Sequence, residues 1–303
     1  MEKFKTQFSD FDEYNEAIKD WYLDIKLLSK KDFNVSIDYF SNENFSLCRE
    51  ALYGKIEYKG IGTKGSRIIA IPRNYNSTIF WFDKKISGNN MLIFPKDNFF
   101  DALTYSFFDN YTIAIEENLL MKTLNDLGYT HAIELFDGKT QELFISKGFS
   151  KIFAFLSEEL LGNPNTETKE HNAQIKNIIY FLLKYMEYSK PNNDKTPQKR
   201  IITLNDTLDI INGNPEQLFT IPELCSIMGV SERTLEYTFK EKFNVTPNQY
   251  IKATRLNNVK KDLYLYRDNK ISIADIAGKY NFWHMGQFAK DFKAQFGYLP
   301  SKV

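Results

Sequence analysis

Two hydrophobic periods divide this chain. From Phe33 to Glu116, apolar residues alternate with polar ones or gather in short aromatic and β-branched runs: FNVSIDYF, SRIIAIP, STIFWFD, MLIFP and YTIAIEE. GTKG, GNN and PKDN punctuate them. Runs of this kind, bounded by turn residues, form strands, so the region predicts a sandwich or barrel of roughly 100 residues. The polar stretch ahead of it, Asp12 to Leu28, predicts a helix. From Glu117 the apolar spacing changes to three and four, and ENLLMKTLNDLGY, TQELFISKGFSKIFAFLSEELLG and HNAQIKNIIYFLLKYMEYSK predict three helices. PNNDKTPQKR, from Pro191 to Arg200, is polar, has no period and predicts an interdomain linker. Everything after it reads as helical.

That helical part repeats itself. Leu235, Phe239, Phe243 and Pro247 fall on Phe288, Phe292, Phe296 and Pro300 at a constant offset of 53. Upstream, Leu224, Gly229 and Val230 fall on Ile276, Asn281 and Phe282 at an offset of 52. A matched turn and proline favour two copies of one small unit over a helical period shared by chance. In the first copy Pro222 suits a helix's first turn, Leu224 and Ile227 face a core, and Gly229 closes the helix with a residue free to take positive φ. Ser231 then caps a second helix. Leu235 and Phe239 lie on its inner face, and Arg233, Glu236, Tyr237 and Lys240 form the opposite stripe. Helix, short turn and capped helix make a helix-turn-helix, whose second helix can enter a DNA major groove. In the second copy Phe288 and Phe292 point inward, which turns Gly286, Ala289, Lys290 and Lys293 outward. Asn281 replaces the turn glycine, and asparagine also tolerates the left-handed conformation.

Between the copies, Pro247 to Tyr266 runs without a glycine, and Leu256, Val259 and Leu263 form its apolar stripe. A helix of that length spans roughly 30 Å, close to the roughly 34 Å between successive major-groove faces of B-DNA. One chain would thereby present two reading helices to consecutive groove segments, and residues 200–303 are expected to bind duplex DNA as an autonomous module.

Composition narrows the picture. A length of 303 residues suggests two domains. With 39 basic and 39 acidic residues the chain has no net charge, so a nucleic-acid site must be local. Residues 200–303 carry 14 Lys and Arg against 11 Asp and Glu. The excess gathers at Lys252, Arg255, Lys260 and Lys261, where phosphate contact is expected. Cys48 and Cys225 are the only cysteines; their spacing suits a reducing compartment and offers no cysteine-based metal site. Cys225 reads as core packing, and so do Trp21 and Trp81. No apolar run is long enough to cross a bilayer, which leads to the expectation of a soluble, cytoplasmic protein with no membrane partner. No cofactor is called for.

Arg200 to Val303 resembles the DNA-binding domain of the AraC/XylS family of bacterial transcription regulators, through FKEKFNVTPNQYIKATRLNNVKKDL, SIADIAGKYNF and FAKDFKAQFGYLP. NFWHMGQFAKDF looks especially like the ethanolamine-utilisation regulators within that family. In the amino-terminal half, GNNMLIFPKDN and TIAIEENLL resemble the cupin-like effector or dimerisation domain of several members. The resemblance implies an α+β multidomain chain: a cupin-like β-barrel with helices in residues 1–165, a helix and linker in 166–199, and in 200–303 an all-α domain with two helix-turn-helix motifs joined by a long helix. It implies a sequence-specific regulator of promoter DNA, an activator that engages RNA polymerase, with a small-molecule effector and a homodimeric state. Ethanolamine with a cobalamin follows from the subgroup alone, and no effector-binding residue is identified.

Carried over by motif position, base reading falls to Arg233, Glu236 and Tyr237 in the first motif and to Met285, Gly286, Gln287, Ala289 and Lys290 in the second. Phosphate contacts fall to Ser231, Thr234, Lys240, Lys252, Arg255, His284 and Lys293, with helix capping an alternative for His284. Gly286 and Ala289 lack hydrogen-bonding side chains, so the second motif reads thymine methyls and shape, or grips phosphates. Glu236 can accept from cytosine but is repelled by the DNA backbone. The chain stops soon after Pro300, where family members often continue with a last helix.

Three rivals were weighed. A metal-dependent cupin enzyme needs clustered ligands, and His131, His171 and His284 all lie outside the expected barrel strands. A DNA-repair methyltransferase needs a zinc-bound cysteine set that two isolated cysteines cannot supply. An architectural or partner-controlled DNA-binding protein without an effector would differ by showing no ligand-induced change. The reading is therefore a non-enzymatic DNA-binding regulator.

Overall fold

The computed structural model describes residues 1–18, 21, 23–73, 78–82, 84–97, 99–105, 107–136, 141–162, 168–189, 199–267 and 271–303. Strand β1 (Glu2–Phe8) and the short helix α1 (Phe11–Ala17) precede two long strands, β2 (Leu23–Ser41) and β3 (Phe45–Ile61). Then come β4 (Ser66–Pro72), β5 (Thr78–Trp81), β6 (Lys84–Ser87), β7 (Asn90–Ile93), β8 (Phe99–Thr104) and β9 (Phe107–Glu116). Helices α2 (Glu117–Leu127) and α3 (Thr130–Phe136), strand β10 (Gln141–Phe144) and helices α4 (Lys147–Gly162) and α5 (Thr168–Glu187) complete the amino-terminal part.

The ten strands form one antiparallel sheet, ordered β10-β7-β4-β9-β3-β8-β5-β6, with β2 also on β3 and β1 on β2. It curls into a cupin-like half-barrel. β3 makes the corner: Phe45–Tyr53 pairs with β9, and Glu57–Ile61 pairs with β8. Gly54 lies between the two ladders at φ 151°, a value open to glycine. The alternation along each strand sorts two cores. Val35, Ile37, Leu52, Ile56, Leu92 and Phe94 line the inner face, with Trp81 stacked on Phe100 at a ring separation of 5.9 Å. Phe40, Leu47, Ile69, Ile71, Ile113 and Ile115 point the other way and are covered by the helical layer through Leu120, Leu124, Phe149, Phe153, Ile178 and Leu182.

The carboxy-terminal part consists of α6 (Lys199–Gly213), α7 (Ile221–Met228), α8 (Glu232–Phe243), α9 (Pro247–Leu265), α10 (Ile273–Lys279) and α11 (Met285–Phe296). The linker expected at Pro191–Arg200 lies, apart from its last two residues, outside the described residues.

The expected helix from Asp12 to Leu28 is corrected by the structure: among the described residues the α-helix covers Phe11–Ala17, and Leu23–Leu28 begins β2. The reason is tertiary. On one side this stretch pairs with β3, while β1 pairs only with the far half of β2, from Val35 to Ser41. Its other side is met by α9 and α11. The Asn257 amide accepts from the Leu27 N–H at 3.3 Å and donates to the Leu27 carbonyl at 3.1 Å. Gln295 of α11 donates to the same carbonyl at 2.8 Å.

The same contacts pack the C-terminal part against the half-barrel. Leu27 joins a core shared with Leu256, Val259, Phe288, Phe292 and Phe296. Its neighbour Leu28, with Phe80 and Leu103, joins the core of Leu224, Leu235, Phe239 and Phe243. Around these patches, Lys26 donates to Asn212 at 3.0 Å and lies 3.7 Å from Glu57, whose two oxygens accept from the buried Tyr250 hydroxyl at 3.0 and 2.8 Å. Replacing Tyr250 by Phe leaves the buried Glu57 carboxylate short of a donor. We expect it to lower stability by about 1–3 kcal/mol, measured by urea unfolding of the full chain.

Candidate nucleic-acid interface

Each C-terminal motif is built by local capping. Thr220 and Glu223 form a capping box at the start of α7, and Gly229 ends that helix at φ 63°. The Ser231 hydroxyl accepts from the Thr234 N–H at 3.2 Å and starts α8. In the second motif Ser272 and Asp275 form the box at α10, and Asn281 takes the left-handed turn at φ 62°. Asn281 also donates to the Glu216 carbonyl at 2.6 Å, tying the turn to the chain that precedes α7. His284 occupies the N-cap of α11 but makes no side-chain cap hydrogen bond. Ile227, expected in a core, is 59% exposed: its neighbours Leu224 and Cys225 supply the buried face of this short helix.

The buried stripes leave the opposite faces open. Leu235, Phe239 and Phe243 are buried in α8, and Arg233, Glu236, Tyr237 and Lys240 are exposed. Phe288, Phe292 and Phe296 are buried in α11; Gly286, Gln287, Lys290 and Lys293 are exposed, with Met285 and Ala289 half-buried. The two faces stay open although the half-barrel is docked on the same domain. The joining helix α9 has 19 residues and so spans about 28 Å.

The cations expected to grip phosphate are not equivalent. Lys240 and Lys293 are exposed at their reading helices, as is His284. Ser231 and Thr234 are engaged with each other at 2.9 Å. Lys252 forms an ion pair with Asp291 of α11 at 3.0 Å, and Gln287 donates to the same carboxylate at 3.1 Å. Arg255 is turned inward. Its guanidinium donates through Nε to the Tyr280 carbonyl at 2.7 Å and stacks 4.5 Å over the Phe282 ring. Burial holds its pKa below the usual arginine range. Arg255 thus braces the second turn. Lys260, expected to contact phosphate, is instead buried; its ammonium lies 2.5 Å from Asp12 and over the rings of Phe11, Phe296 and Tyr298. Lys261 is exposed. Sequence spacing placed Lys260 outward because the partner surface comes from residues far away in the chain.

Inside the half-barrel a second polar group stands out. Tyr14 of α1 donates to Glu50 at 2.6 Å and lies 3.0 Å from the Tyr58 hydroxyl. Burial pushes the Glu50 carboxyl above the ordinary carboxylate range and raises the neighbouring Cys48 thiol, with Glu50 and Asp38 adding to the latter. Among the described residues no three His, Cys, Asp or Glu side chains converge as metal ligands, and no helix is long and apolar enough to cross a membrane.

Residues 224–303 match a family model described as a helix-turn-helix domain. Over 95 residues, 31% of this chain and 29% of the relative, the sequence is 30% identical to the probable thc operon regulatory protein of Rhodococcus erythropolis. Over 94 residues, 31% of this chain and 29% of the relative, it is 31% identical to the XylDLEGF operon transcriptional activator of Pseudomonas putida. The match thus spans under a third of the length of these curated relatives. The crystal structure of the AraC-like transcriptional activator CuxR aligns over 92% of this chain and 99% of its own, at 12% identity and a TM-score of 0.46.

The division of the cations is measurable. Arg255→Ala leaves the Tyr280 carbonyl without its donors and is expected to cost about 1–3 kcal/mol of stability. Lys240→Ala, on an exposed face, should stay within about 0.5 kcal/mol of the parent. Urea unfolding of both variants checks this.

Proposed function

We propose that this chain, whose C-terminal domain is an AraC-type helix-turn-helix domain, is a sequence-specific DNA-binding regulator of transcription with a small-molecule site in its half-barrel. One observation carries the DNA reading: two capped motifs expose their second helices while their inner faces are buried, and the helix between them spans about 28 Å, near the roughly 34 Å between successive groove faces. On this reading Arg233, Glu236 and Tyr237 meet base edges. Lys240, Lys290 and Lys293 supply positive charge along the backbone, and Arg255 and Lys260 shape the protein instead. The activator named among the relatives supports activation over repression.

The effector reading rests on α1. Its Tyr14 reaches the inner Glu50–Tyr58 pair, while its Asp12 accepts from Tyr298 and pairs with Lys260 of the DNA-binding domain. A ligand that takes Glu50 from Tyr14 would have different affinities for the docked and released positions of α1, which is the condition for coupling two sites. A small molecule bearing an ammonium or hydroxyl donor suits Glu50. Ethanolamine, suggested by the subgroup resemblance, has that chemistry. A thermal-shift screen of amines and amino alcohols should find a stabiliser whose effect disappears in Glu50→Gln. An equal shift in parent and variant would move the site elsewhere.

The DNA reading predicts binding of the full chain to its target duplex with affinity that falls steeply as salt rises, because neutralised phosphates release counterions. Arg233→Ala should cost about 1–3 kcal/mol on the specific site and relax preference at one base pair. Lys293→Ala should weaken specific and scrambled duplexes alike. Anisotropy titrations on matched and scrambled DNA at two salt concentrations decide it; reversed behaviour of the two variants would overturn the assignment.

A further inference from the structure

Trp283 is 72% exposed, whereas Trp81 is 3% exposed and Trp21 is half-buried. It lies in the turn of the second motif, one residue before the N-cap of α11. Its ring is nevertheless seated. A Cβ placed on Gly278, within α10, would stand 3.4 Å from the indole Cζ3 and 4.0 Å from Cε3 and Cη2. The indole thus lies against the α10 backbone at Gly278, at a distance where even an added Cβ would make ordinary van der Waals contact. The sequence thus positions a large aromatic ring against a helix and still leaves most of it in solvent.

The surroundings say what such a ring can meet. Gly286, in the first turn of α11, has nothing within 4 Å of where a Cβ would stand. Ala289 follows on the same side, and Gln287 is engaged with Asp291. The leading end of this helix therefore carries an apolar strip, exposed at Trp283 and Gly286 and half-buried at Met285 and Ala289, beside the exposed polar side chains of His284, Gln287 and Lys290. In helix-turn-helix docking the N-terminal residues of the second helix approach the base edges, and Trp283 stands at that end. The apolar feature that distinguishes one base in the major groove is the C5-methyl group of thymine.

We propose that Trp283 is a DNA-contact residue that reads a thymine C5-methyl group, supplying in the second motif the discrimination that Gly286 and Ala289 cannot provide by hydrogen bonding. The inference rests on the DNA-binding reading above. The test uses the full chain and a duplex recovered with it from a random-sequence library. Binding is measured for the parent, Trp283→Ala and Gly278→Ala, on that duplex and on copies in which single thymines are replaced by deoxyuridine, which removes only the methyl group. Trp283→Ala is expected to bind about fivefold more weakly or worse, with unchanged urea unfolding because the side chain is exposed. One deoxyuridine position should cost the parent about fivefold and Trp283→Ala less than about twofold. Gly278→Ala, whose added Cβ would stand in ordinary van der Waals contact with the indole, should keep the parent's affinity and its response to deoxyuridine. Parent-like binding by Trp283→Ala, or deoxyuridine effects that are absent or equal in both proteins, would overturn the assignment to Trp283. Failure of the parent to recover any duplex would overturn the DNA-binding reading with it.

Discussion

The backbone of one residue, Leu27, is where the half-barrel and the C-terminal domain are pinned together. At Leu27 the strand is paired on one side only, and an unpaired strand edge exposes N–H and C=O groups that must find partners when buried. Here the partners are amide side chains: Asn257 meets both the N–H and the C=O of Leu27, and Gln295 shares the carbonyl. The joining helix and the second reading helix thus stand where another strand would be. Burial of a leucine side chain contributes about 1.5–3 kcal/mol, and Leu27 and Leu28 each add such a contribution to a different motif.

Charges make this seating selective. Glu57 is enclosed between Lys26 and Tyr250, and Lys260 lies between Asp12 and three aromatic rings. A buried ion pair adds little net stability over an apolar replacement, but a buried charge that loses its partner costs about 3–5 kcal/mol. A domain that slid or rotated on β2 would strand one of these groups. The apolar patches hold the two parts together, and the charges choose one arrangement among those the patches would allow.

The sequence showed the C-terminal motifs clearly because their determinants are local: capping residues, the left-handed turn residues Gly229 and Asn281, and apolar positions three and four apart. β4 and β9 were equally plain as short apolar, β-branched runs, since both faces of the sheet are covered. What it hid was non-local. LDIKLL at the start of β2 carries too few residues to declare its period, and its last hydrogen-bonding partners are more than 200 positions away. Lys260 and Arg255 look like a solvated basic stripe when only helical spacing is read, and the acid and carbonyl that claim them come from α1 and from the turn after α10. Ile227 shows the opposite error, an apolar residue with no neighbour to bury it.

The placement of Leu27 and Leu28 has an evolutionary consequence. Successive residues of a strand point to opposite faces, so the two helix-turn-helix motifs are seated on the two sides of one ribbon that belongs to the half-barrel. A recombination event that carried residues 200–303 alone into a new chain would leave both seats behind.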